Sequence, residues 1–170
     1  KIKLLWEHAR EVASIAYILA DITPGLDKEQ ALLAGLVHEV GAIPILSYIE
    51  SFPEFMKVEA KLEGIMCDHY KEVGVTLLET WGFQEEMINV VRHSEEWEYE
   101  SGQSQATYTD VVIAAQVHSA IMNKAQKQLP SFNKISALRK LGKDGLTPET
   151  SMNVLADAQK QLCEVSALLA

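Results

Sequence analysis

A chain of 170 residues, 48% apolar and 23% charged, has the size and balance of one globular domain and not of a disordered segment. Its net charge of -9 opposes phosphate backbones and argues against nucleic-acid binding, and apolar runs such as Val111 to Ala115 fall far short of a bilayer's thickness. Cys67 and Cys163 stand far apart without a CxxC pairing, which excludes a disulfide framework or structural zinc site and fits free thiols in a reducing cytoplasm.

The chain opens on Lys1 instead of Met, as a piece of a longer polypeptide would, and no secretory signal is visible. Helical periodicity then recurs from end to end, with no convincing alternation of period two. Ile2, Leu5, Ala9, Val12, Ala16 and Leu19 define a first helix that stops at Thr23-Pro24-Gly25. Asp27 with Gln30 reads as a capping box opening a helix through Ala31, Leu32 and Leu36 that closes near Gly41. A short apolar helix from Ile43 to Ile49 follows, ended by Phe52-Pro53. Asp68 reads as the N-cap of a helix carrying Val73, Leu77 and Leu78, with Gly82 just past its end.

Residues 85–93 form another short helix, and the polar tract from Glu95 to Gln105 reads as a single loop. A helix is expected from Tyr108 to Ala125, a break at Pro130 to Asn133, and a short helix ending at Gly142. Thr147 then caps a last helix with Pro148 in its first turn, running through Val154, Leu155, Ala158, Leu162, Val165 and Leu168. The expected fold is an all-α bundle of about seven or eight helices forming one domain over residues 1–170. Trp6 and Trp81, in patterned helices, read as buried anchors, and Trp97, in the polar tract, as an exposed contact.

The residues that could carry chemistry are few. The five histidines are His8, His38, His69, His93 and His118. Four of them, with Glu39 and Asp110, make an ordered series: His8 on the first helix, the His38-Glu39 pair, then His69, His93 and Asp110. Imidazoles and carboxylates projected from several helices into one cleft make a divalent-metal site with open positions for water and substrate. Each also has a plainer reading. His8 suits a partly buried histidine satisfied by a neighbour, His38 a residue favouring a helix C-terminus, and His69 a surface residue in a first turn. His118 falls outside the series and reads as structural.

The order His, His-acid, Asp resembles the signature of HD phosphohydrolases. The wider match resembles the HDOD family, the output-domain branch of that superfamily. It is carried by Leu5-Trp6-Glu7-His8, Ala34-Gly35-Leu36-Val37-His38-Glu39-Val40-Gly41, Asp68-His69-Tyr70-Lys71-Glu72-Val73-Gly74, Leu77-Leu78-Glu79-Thr80-Trp81 and Ala137-Leu138-Arg139-Lys140-Leu141-Gly142. The resemblance covers most of the chain, but it implies a further helical segment ahead of Trp6 that this sequence does not contain.

The resemblance implies a noncatalytic signalling module in a bacterial cytoplasm, acting through a protein partner or a homo-oligomer interface, with no cofactor, no nucleic acid and no membrane. Three departures from the catalytic relatives point the same way. Glu39 stands where the HD pair has Asp, and one extra methylene moves a carboxylate by roughly 1.5 Å where metal ligands tolerate about 0.2 Å. Ser94 stands where the related cyclic-di-GMP phosphodiesterases have a second His, and Glu95-Glu96-Trp97-Glu98-Tyr99 replaces their Gly-Tyr-Pro loop. The alternative is a metal-dependent phosphohydrolase acting on a nucleotide or cyclic dinucleotide. In that case the resemblance implies Mn, Fe or Mg held by His8, His38, Glu39, His69, His93 and Asp110.

Overall fold

The computed structural model describes residues 2–52, 59–123, 129–142 and 145–168, and within the helices the side chains of 59–63, 65–68, 148, 155 and 161–168 lie outside the description. The elements are α1 (Ile2–Asp21), α2 (Lys28–Val37), α3 (Ala42–Glu50), α4 (Glu59–Thr80), α5 (Glu85–His93), α6 (Tyr108–Met122), a 3-10 turn (Phe132–Lys134), α7 (Ser136–Lys140) and α8 (Pro148–Leu168). No strand occurs among the described residues, so the all-α expectation stands.

The bundle is organised around α6. Every residue from Thr109 to Ser119 is buried. A helix buried on all sides has no polar face, which is why its sequence reads as an apolar run and not as a stripe. α1, α2, α5, α7 and α8 pack around it. The stripe Val12, Ile15, Ala16 and Leu19 of α1 joins Ala31 and Ala34 of α2, the apolar side chains of α6, and Val154 and Ala158 of α8 in the main core. A smaller cluster of Leu78, Ile88 and Val91 ties α4 to α5.

The helix ends follow local chemistry. Asp27 caps α2 by accepting from the Gln30 N–H at 2.8 Å, but the reciprocal half of the box is missing: the Asp27 N–H donates instead to the Tyr108 hydroxyl at 3.2 Å. α4 closes in a Schellman motif. The Phe83 N–H reaches the Leu78 carbonyl, the Gly82 N–H reaches that of Glu79, and Gly82 takes φ 75°. Thr147 caps α8, its Oγ1 accepting from the Thr150 N–H. At α6, Thr107 and Asp110 form a full capping box.

Three expectations need correction. Asp68 is not an N-cap, because it lies inside α4, which is already helical from Glu59. Trp6 and Trp81 are exposed (54% and 57%), whereas Trp97 is half-buried and packs on the main core. Trp81 sits beyond the last turn of α4, outside the periodicity that suggested burial, while the polar loop 95–105 folds back and lends the core its aromatic residues. The stretch Lys28–Glu50, with mean hydropathy 1.6 over its most apolar window, is long and apolar enough to cross a bilayer by composition. Turns at 38–41 divide it into two helices, and Ala31, Ala34, Leu46 and Ile49 are buried within the protein. Pro53 and Ala125 lie outside the described residues, as do the side chains of Cys67 and Cys163.

Candidate functional site

Two close backbone approaches build the site. A Cβ on Gly35 would lie 2.8 Å from the Ala13 backbone nitrogen, so glycine lets α2 press against α1. A Cβ on Gly41 would collide with the Tyr70 carbonyl and the Gly74 nitrogen of α4. The turn between them, carrying His38 and Glu39, is thereby held between α1 and α4. His8, one turn ahead of the buried Val12, lies at the rim of α1's core stripe and reaches the same place.

One ligand atom each from His8, His38 and Glu39 lies within 4.8 Å of the others. The two imidazoles meet edge to face with centroids 5.4 Å apart. His38 is fully buried, and its Nδ1 lies 2.7 Å from the Gly35 carbonyl, which fixes the Nδ1–H tautomer. That leaves the Nε2 lone pair free; it has no hydrogen-bond partner and lies 4.0 Å from Glu39 Oε2. Burial pushes the His38 pKa down, against the opposing pull of Glu39, so the ring is held neutral. The longer Glu39 side chain still reaches the cluster.

These features fit a divalent cation. A neutral imidazole with one nitrogen tied to a carbonyl and the other orphaned is the state a metal ligand requires. Donors around one ion at about 2.1 Å are at most about 4.2 Å apart, so modest side-chain rotation would close the trio. His8 and Glu39 open onto a cleft of about 330 Å³, which is also lined by Glu95, Trp97 and Gln116.

The other expected ligands are engaged elsewhere. His69 is exposed on α4, with Nδ1 3.9 Å from Glu72. His93 pairs through Nδ1 with Glu96 at 3.0 Å and stacks on Tyr99. Asp110 is buried, but both its oxygens are committed: Oδ2 accepts from the Thr107 N–H and hydroxyl at 2.8 Å each, and Oδ1 lies 3.4 Å from Lys140 Nζ. The structure therefore gathers three of the six expected ligands and gives Asp110 a capping role.

α6 lines the cleft with Gln116, Ser119 and Ala120, and Gln116 is the longest of these side chains. Its amide donates to the Ser94 carbonyl at 2.9 Å. Sequence reasoning passed over it. The available signal was a lone amide inside the apolar run Val111 to Val117, a position that must be buried on this helix and so needs a partner. His118, read as structural, is fully buried, with Nδ1 2.7 Å from the Ala114 carbonyl.

Comparison with known proteins places this geometry in context. Residues 1–97 match the model of the HDOD domain. A candidate metal-dependent phosphohydrolase from Shewanella amazonensis SB2B shares the fold at TM-score 0.66 and 22% identity, over 92% of this chain and 59% of that one. An HDOD domain protein of unknown function from Geobacter sulfurreducens matches at TM-score 0.52 and 21% identity, over 91% of this chain and 52% of that one. The chain thus spans between half and three-fifths of the length of these two structures, and the likeness is one of fold. No curated protein matches significantly.

Proposed function

The chain belongs to the HDOD domain family, and from that premise we propose that it is a noncatalytic regulatory module of a bacterial cytoplasm, working through contact with a protein partner. The observation that carries this reading is the incomplete donor set. Two imidazoles and one carboxylate converge, but the α6 residues lining the cleft beside them, Gln116, Ser119 and Ala120, add neither an imidazole nor a carboxylate, while Asp110 is spent on its own helix cap. Three donors can hold one divalent ion, whereas a pair of ions clamping a phosphoryl group needs more, including bridging carboxylates. Glu95 also lines the cleft, 3.9 Å from Lys71.

The second reading, a metal-dependent phosphohydrolase acting on a nucleotide or cyclic dinucleotide, is favoured by the neutral, orphaned Nε2 of His38. Mn, Fe or Mg, if bound, would sit on His8, His38 and Glu39, and would polarise a phosphoryl oxygen and acidify bound water. Metal stoichiometry tests the incomplete donor set. After reconstitution with Mn²⁺ and desalting, the protein is expected to retain at most one ion per chain, and His38→Ala to retain none. Two tightly held ions per chain would favour the hydrolase.

A further inference from the structure

A second recess lies away from the cleft, where the end of α4 meets the start of α5. It has a volume of about 510 Å³ and is walled by Trp81, Phe83 and Tyr108, with Leu33 and Met87 as its apolar floor and Glu86 at its edge. The Schellman turn at Gly82 fixes Trp81 and Phe83 side by side, with centroids 6.4 Å apart and planes tilted by 49°. Tyr108 is anchored from the third side by the Asp27 N–H.

The one charged side chain among the described residues that line this recess is acidic, Glu86, beside the neutral amides of Gln30 and Gln84. Among the described residues no Lys, Arg or His lines it. Glu85 is taken by Arg92 at 2.9 Å, while Glu86 forms no ion pair with any described residue. The last turn of α4 contains no basic residue, so the negative end of that helix is uncompensated, whereas the positive end of α5 already carries Glu85 and Glu86. Burial pushes the Tyr108 hydroxyl above its ordinary pKa against the opposing hydrogen bond from the Asp27 N–H, with the charges of Glu86 and Asp27 adding smaller upward contributions. Aromatic faces attract cations through their quadrupoles, and a planar guanidinium also stacks on them.

We propose that this recess is where the module receives an arginine side chain of its protein partner. The proposal rests on the reading of the protein as an interaction module and names the chemistry of that contact. The recess is much larger than a guanidinium group, leaving the apolar floor of Leu33 and Met87 for the aliphatic stem and neighbouring backbone. A protein segment supplies all of these parts together, whereas a small cation supplies only the charge.

The test is a titration with N-acetyl-arginine amide, followed through the indole N–H resonances of the three tryptophans, with Trp81→Phe assigning its signal. Saturable movement of the Trp81 resonance is expected. Affinity should fall about fivefold in Trp81→Ala and roughly threefold in Glu86→Gln, and the uncharged citrulline analogue should not bind. Equal shifts with citrulline, or binding indifferent to Trp81→Ala, would overturn the cation site. Tighter binding of tetramethylammonium than of the arginine amide would overturn the protein source in favour of a small-molecule cation. None of these readings depends on His38 or on turnover, so failure here is distinguishable from failure of the noncatalytic reading.

Discussion

Gly41→Ala is expected to cost the fold about 3 kcal/mol or more, because its added Cβ would make the tightest contact of any glycine in the chain. Gly41 has φ -66°, so alanine is conformationally acceptable and the penalty is purely steric. The new Cβ would meet the Tyr70 carbonyl and the Gly74 nitrogen, both backbone atoms of α4 that cannot rotate away. Two other glycines of α4 calibrate the effect. A Cβ on Gly74 would meet Val91 Cγ1 at 2.7 Å, but its nearest backbone atom is the Gly41 nitrogen at 3.2 Å, so Gly74→Ala should cost less, about 1–2 kcal/mol. Gly64 has open space around it within a helix, so Gly64→Ala should stabilise by about 0.5–1 kcal/mol. Urea unfolding of the three variants checks the series. Equal effects for Gly41→Ala and Gly64→Ala would mean that α4 does not pack against the His38–Gly41 turn.

Acidification is the second large effect. His38 and His118 are both buried, each with Nδ1 tied to a carbonyl and Nε2 unpartnered, and burial lowers both pKa values. The unfolded chain takes up protons below about pH 6.5, while the folded chain resists protonation at these two sites. Their contribution is therefore complete above that pH and is lost as pH falls below it. The loss approaches about 1.4 kcal/mol per pH unit for each histidine, until its lowered folded-state pKa is reached. Urea midpoints at pH 7.5, 6.5 and 5.5, measured with chelator present, should be level across the first interval and fall across the second. His118→Asn should remove its share of the slope whatever its own effect on stability. A flat response between pH 6.5 and 5.5 would contradict the burial of both rings.

The fold was legible where the signal is local. The caps at Asp27 and Thr147 and the glycine at Gly82 satisfy backbone groups within a few residues, and residue type alone marks them. Asp68 misled because a good capping residue is also tolerated inside a helix, and nothing in 59–67 breaks the one that contains it. The tryptophans misled in the opposite direction. Periodicity describes a helix face, but Trp81 lies past the end of its helix, and burial of Trp97 is decided by where a loop folds back onto α6.

The site was legible only in part for the same reason. His8, His38 and Glu39 converge because Gly35 and Gly41 allow two close helix approaches, and those glycines flank the histidine in the chain. His69, His93 and Asp110 share the family's order along the sequence, but order does not state which way a side chain leaves its helix. Asp110 also had a competing local role as the N3 residue of a capping box behind Thr107, visible as Thr-x-x-Asp at the start of an apolar run. Gln116 was hidden in that run, although an amide on a helix buried on every side has to find a partner.

The most direct test of the noncatalytic account is turnover by freshly purified protein reconstituted in turn with Mn²⁺, Fe²⁺ and Mg²⁺, assayed against nucleotides and cyclic dinucleotides. The account predicts no product above a metal-only blank with any of them. Metal-dependent release of product that disappears in His38→Ala would contradict it.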